Sequence, residues 1–113
     1  MPRGPDGFTK PYHRATDIRL RGLLYLLADD SRVKAFAESE LRGILDHHAR
    51  YEDDAYGILR TFLEVGGNKS ELAKTLHMSR PTLYARLATL SRILGVDLED
   101  AESRTSLHAA LWI

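Results

Sequence analysis

Cysteine is absent from this 113-residue chain. That excludes disulfide scaffolds, thiolate zinc sites, iron–sulfur clusters and thiol catalysis. Long apolar runs are also absent, and none approaches the roughly 20 residues of a membrane helix. The stretch Met1–Lys10 lacks the apolar core of a signal peptide, so a cytoplasmic location is expected. No window alternates polar and apolar residues long enough to suggest a sheet, and there is no internal repeat of useful length. Proline is scarce after the first eleven residues, which hold Pro2, Pro5 and Pro11 of the four present. Net charge is zero, from 16 basic and 16 acidic residues. What is present is ordinary for a folded domain: 43% hydrophobic and 28% charged residues, with a length that suits one domain.

The neutral total hides an uneven distribution. Residues 1–21 carry net +3, 22–65 net −4, 66–93 net +4 and 94–113 net −3. The compact basic segment sets Lys69, Lys74, Arg80, Arg86 and Arg92 against Glu71 alone. A solvated helix face would carry the same charges. They matter only if the fold aims them one way.

Residues 1–16 read as a flexible tail or linker remnant, rich in proline and glycine. From Asp17 onward the pattern is helical. A short apolar helix is predicted over 17–27, packing on the rest or marking a docking surface. An amphipathic helix follows over 31–49, with Val33, Phe36, Ala37, Leu41, Ile44 and Leu45 on one face. Glu52, Asp53 and Asp54 crowd the start of a helix that runs to about Val65, where carboxylates suit the exposed amides. Gly66 and Gly67 end it. Asn68 caps a short helix over 69–76, and Ser79 caps the next. Pro81 fixes that register, because proline costs little in a first turn and about 3 kcal/mol in a helix interior. Leu83, Leu87, Leu90 and Leu94 form a single stripe, Gly95 closes the helix, and a last helix is predicted over 100–112. The expected fold is all-α: a compact bundle of five or six helices across 17–113.

Two helices joined by a three-residue turn, over about 69–94, are the architecture of a helix-turn-helix. The second helix of such a pair buries one stripe and leaves its N-terminal turns free for the major groove. The face opposite the leucines holds Pro81, Thr82, Ala85, Ala88 and Arg92, with Tyr84 at its edge. Small residues there permit close approach to base edges. Arg80 and Arg86 lie about 60° either side of the stripe and must reach outward along their stems. Arg80 can pair bidentately with guanine, and Arg86 is suited to phosphate. A plain three-helix bundle would show the same caps and stripes.

The segment from Gly57 to Leu111 resembles the C-terminal helix-turn-helix domain of PucR/CdaR-type bacterial transcriptional regulators. The matching features are L-x-x-G-G-N (Leu63–Asn68), A-x-x-L-H (Ala73–His77), R-x-T-L-x-x-R-L (Arg80–Leu87), L-G-x-D-L (Leu94–Leu98) and S-L-x-x-A-L (Ser106–Leu111). The upstream stretch from Arg21 to Leu45 is similar to what precedes that domain, and the core is similar to Fis-type helix-turn-helices. The resemblance implies sequence-specific binding of double-stranded DNA. It places Asn68, Lys69 and Ser70 at the phosphate-facing start of the first helix. It places Ser79, Arg80, Thr82, Tyr84, Ala85 and Arg86 in the recognition helix. It also implies an effector-sensing domain upstream, outside this chain. Two departures are visible. Ser79 and Pro81 stand where many members have His and Asn, which alters the reading chemistry. His77 stands where general helix-turn-helix patterns favour Gly, a position His tolerates in the left-handed region.

Other motifs are better explained structurally. Gly66–Ser70 ends like a phosphate loop but lacks its spacing and a preceding strand. His47 and His48 are adjacent and point about 100° apart, without a ligand pair. Trp112 is expected to pack under the last helix. No nucleophile or acid–base constellation is present, so neither enzymatic activity nor a cofactor is expected. The expected mechanism is docking through Lys69, Lys74, Arg86 and Arg92, with base reading by the first turns of the 79–94 helix. A lone domain makes few contacts, so a homodimer on a palindromic site is expected. The competing reading is a helical protein-interaction module, which the acidic stretch 22–65 would suit.

Overall fold

Side-chain caps set most of the helix starts. In the computed structural model, which describes residues 15–113, Asp30 accepts a hydrogen bond from the Arg32 amide at 2.7 Å. Asn68 accepts from Glu71, and Asp100 from Ser103. Each such cap contributes about 1 kcal/mol. The resulting helices are α1 (Ala15–Leu26), α2 (Ser31–Arg50), α3 (Ala55–Glu64), α4 (Lys69–Leu76), α5 (Arg80–Leu94) and α6 (Ala101–Leu111). No strand occurs among the described residues. The all-α expectation of five or six helices is met by six among the described residues. Most of the expected tail over 1–16 lies outside the described residues, while Ala15 and Thr16 already belong to α1.

Of the carboxylates expected at the start of α3, one meets a free amide, though not the one at the N-cap position. Asp54 stands at the N-cap of α3 but makes no cap hydrogen bond with its side chain. Asp53 does this instead, accepting from the Ala55 amide at 3.1 Å. The reason is that Asp54 is drawn away toward a cation on α5.

Helix α2 is the spine, packing against α6, α5 and α3. Phe62, Ile44, Leu59, Leu72, Leu83, Leu90 and Leu107 are the largest fully buried side chains. The α5 stripe is inside as its spacing predicts, with Leu83, Leu87 and Leu90 buried and Leu94 packed at the margin. The α2 face is narrower than predicted. Ala37, Leu41 and Ile44 are buried, but Phe36 and Leu45 remain 38% and 46% exposed. The three buried residues already cover the stripe that faces α5 and α6, and Phe36 instead lines a surface groove with Val33, Leu24, Leu27 and Ile113.

Gly43 marks the α2–α5 crossing. A Cβ there would stand 2.1 Å from the carbonyl oxygen of Ile93, a backbone atom. No side chain fits between the two helices at this point. The other conformational requirement lies at Gly66 and Gly67, with φ of 66° and 79°, which reverse the chain between α3 and α4.

At the far edge, α1 rests on α6. Arg21 lies over the Trp112 ring at 4.7 Å, and His108 packs on the same ring at 4.4 Å. Trp112 is therefore half-buried packing material, held from both sides. Burial pushes the His108 imidazole below its ordinary value of 6.5, Arg21 pushes it further, and Glu64 opposes both.

Two outcomes follow from this packing. Gly43→Ala should lower stability by about 3 kcal/mol, as overpacking against backbone does. Gly57→Ala, in a helix with nothing within 4 Å of the added Cβ, should raise it by about 0.5 kcal/mol. Urea unfolding of both variants measures the contrast. The second concerns His108. Its lowered folded pKa means the unfolded chain binds the proton more readily, so stability is lost as pH falls through 6.5 toward the folded value. His108→Gln should flatten the decline of the urea midpoint between pH 7.5 and 5.5; an unchanged slope would assign that decline to other groups.

Candidate nucleic-acid interface

The turn between α4 and α5 is built from one unusual backbone position. His77 adopts φ 55° and ψ 45°, the left-handed conformation, and its amide bonds back to Ala73 and Lys74. Met78 follows, and Ser79 caps α5: its Oγ accepts from the Thr82 amide at 3.4 Å and donates to Thr82 Oγ1 at 3.0 Å. Pro81 sits in the first turn, where its missing amide loses nothing. The left-handed turn at His77 swings α5 across α4, and the leucine stripe then fixes its rotation.

That rotation exposes a crest. Pro81, Thr82, Ala85, Ala88 and Arg92 all face solvent. Only Arg92 among them has a long side chain, and it is tethered to Thr89 at 3.2 Å. The first three turns of α5 therefore present a low surface bounded by taller flanks.

The first flank joins α5 to the start of α4. Arg80 Nη2 donates to Ser70 Oγ at 2.6 Å, and Nη1 donates to Tyr84 Oη at 3.4 Å. Lys69 lies 5.8 Å from the Tyr84 ring centroid and forms an ion pair with Glu99. Asn68 spends its side-chain oxygen on the Glu71 amide. The amides of Lys69 and Ser70 lie outside the ladder of α4, at the positive end of its dipole. Lys69, Ser70, Arg80 and Tyr84 thus form one cluster, with Asn68 beside it.

The second flank was not foreseen. Arg86 Nη1 donates to Asp54 Oδ1 at 2.6 Å. Beside this pair, His47 Nε2 meets Asp53 Oδ2 at 2.7 Å. That hydrogen bond, chiefly, holds the Asp53 carboxyl below the usual carboxylate range. His47, Asp53, Asp54, Arg86 and Thr89 line a shallow pocket along this side of α5.

Of the nine residues singled out from the sequence, Lys69 is half-buried and the other eight are exposed. Lys69, Ser70, Arg80 and Tyr84 converge; Ser79 and Thr82 pair at the cap; Ala85 stands on the crest. Arg86 stands apart, on the opposite flank. Tyr84 is half-exposed, as its position on the wheel predicted. Sequence reasoning missed Asp54, His47 and Glu99. The acidic run 52–54 was visible, but its partner lies 32 residues away on another helix. Among the described residues, no three His, Asp or Glu side chains gather as a metal site requires.

The model of the PucR C-terminal helix-turn-helix domain matches residues 56–113, just over half of the chain. The chain belongs to this family. Comparison with curated proteins and with solved structures returned no match. The matched region takes in α4, α5 and α6 and nearly all of α3; α1, α2 and Asp54 lie outside it. The family is a class of regulator domain rather than a class of enzyme.

The Arg86–Asp54 pair is half exposed at both side chains. Exposed pairs contribute at most about 1 kcal/mol. Asp54→Asn should therefore shift the urea midpoint only slightly, by less than Gly43→Ala shifts it. A loss as large as the glycine variant's would make this pair a structural support of α5.

Proposed function

We propose that this chain is the sequence-reading DNA-binding domain of a transcriptional regulator, with α5 as the recognition helix in the major groove. The observation that carries the reading is the low, exposed crest of α5 between two arginine-bearing flanks. Pro81, Ala85 and Ala88 let the helix backbone approach base edges, with Thr82 beside them. Arg80 reaches a guanine by leaving Ser70. Ser79 and Tyr84 contact the backbone or the edge of the site. Asn68, Lys69, Ser70 and the amides of α4 hold phosphates on one strand, as helix N-termini do. Arg86, Lys74 and Arg92 add phosphate contacts. The domain carries out no catalysis and acts in the cytoplasm, on the nucleoid. It pairs on a palindromic site, and an effector-sensing domain of the same regulator governs it. No helix among the described residues is long and apolar enough to cross a membrane.

The ion pairs on both flanks define what DNA must displace. Phosphate competes with Asp54 for Arg86 and with Glu99 for Lys69. The first competition is cheap because the Arg86–Asp54 pair is solvent-exposed; the second costs more, since Lys69 is half-buried.

Selection of bound genomic fragments, followed by titration of the selected duplex at two salt concentrations, tests the reading. Specific binding with a steep salt slope is expected. Arg80→Ala should weaken the selected duplex about tenfold or more, and scrambled DNA much less. Asp54→Asn should tighten both duplexes by roughly threefold, and Arg86→Ala should cancel that gain. Equal, weak binding to every duplex, untouched by Arg80→Ala, would favour a protein-binding module on the same helices.

A further inference from the structure

Helix α1 is the least explained element of the fold. One side, with Leu24 and Leu27, lines the groove shared with Val33, Phe36 and Ile113. Arg21 is committed to the Trp112 ring. The opposite side carries large apolar side chains in the open: Tyr25 and Leu26 are 80% and 79% exposed. Large apolar side chains left side by side on the outside of a helix call for a cover.

The uncovered side has a pattern that indicates what covers it. Arg19, Gly22, Leu23 and Leu26 recur at spacings of three and four, and Asp29 continues the row in the turn after the helix. Arg19 and Asp29 are both exposed. Set two copies of this row antiparallel, with the centre at the level of Leu24. Leu26 of one copy then faces Gly22 of the other, and Arg19 of one faces Asp29 of the other. Each contact occurs twice, as a two-fold axis requires. Gly22 has no side chain of its own to oppose that leucine. A parallel arrangement would set Arg19 against Arg19 and Asp29 against Asp29, which charge repulsion disfavours.

We propose that α1 is the dimerisation helix, pairing antiparallel with α1 of a second copy through Arg19, Gly22, Leu23, Leu26 and Asp29. This gives a surface to the pairing assumed in the DNA-binding reading, but it is independent of DNA. One helix pair buries less than the roughly 800 Å² per partner of a standard interface. The dimer is therefore weak and concentration-dependent.

Sedimentation equilibrium of the whole chain, without DNA and across concentrations, tests the proposal. Wild type should show a reversible monomer–dimer equilibrium. Leu26→Glu should leave only monomer, with unchanged helix content and urea midpoint because Leu26 supports no core contact. Arg19→Asp and Asp29→Arg should each weaken the dimer about tenfold, since two ion pairs are lost and like charges meet. The double variant should recover most of that loss. A monomer at every concentration would overturn the proposal. So would a dimer indifferent to Leu26→Glu, or a double variant no better than the single ones. A wild-type dimer that binds no specific DNA would leave this interface standing and defeat the DNA-binding reading alone.

Discussion

The contact between Gly43 on α2 and the Ile93 carbonyl on α5 governs the surface that the domain presents. With no Cβ in the way, the two backbones meet directly, and α5 is held at one distance and one rotation. Leu83, Leu87 and Leu90 then seal the rotation from the buried side. A helix has no independent control over its two faces. Fixing the leucines inward sends Pro81, Ala85, Ala88 and Arg92 outward, since they lie about half a turn away. The core contact and the exposed crest are two consequences of one periodicity. This is why α2, outside the matched family region, still belongs to the machinery of the site.

The flanks follow a second constraint. Long cations beside a crest must rest somewhere when nothing is bound. Here they rest on carboxylates and hydroxyls: Arg86 on Asp54, Lys69 on Glu99, Arg80 on Ser70 and Tyr84. Such tethers restrict the rotamers of long side chains without burying their charge. They lessen the ordering that binding must impose, while remaining weak enough for a phosphate to replace. They also lower the bare positive potential of a segment that reads as net +4 in sequence.

What could be read from the sequence was local, and what could not was distant. The run of helices, the caps at Asn68 and Ser79, the turn at His77 and the α5 stripe all depend on residues a few positions apart. Propensity and spacing encode these directly. The cluster of Lys69, Ser70, Arg80 and Tyr84 was half legible, because the α4–α5 turn brings together two segments already identified. The Arg86–Asp54 and Lys69–Glu99 pairs were not legible, since each joins elements about 30 residues apart through a packing that no local pattern specifies. Within the run Glu52–Asp54, local spacing did not say which carboxylate would meet the helix start: Asp53 does, and a tertiary cation takes Asp54. Phe36 and Leu45 show the same limit on the apolar side. Periodicity assigns a face to a helix, but neighbouring helices decide how wide a strip of it they cover.

The exposed side of α1 bears on how such a domain gains affinity. A single recognition helix with a handful of phosphate contacts binds DNA weakly, and most of that binding is indifferent to sequence. Two domains joined by even a weak contact change this. Once one is seated, the other sits near its half-site at an effective concentration that can reach the millimolar range. The joining contact then needs little strength of its own. A strong, permanent pairing would make two-site binding insensitive to anything upstream. A marginal helix pair leaves the equilibrium where a modest change in the positioning of α1 shifts DNA occupancy. An apolar helix lodged at the edge of the bundle, packed on α6 and apart from α5, is suited to that coupling.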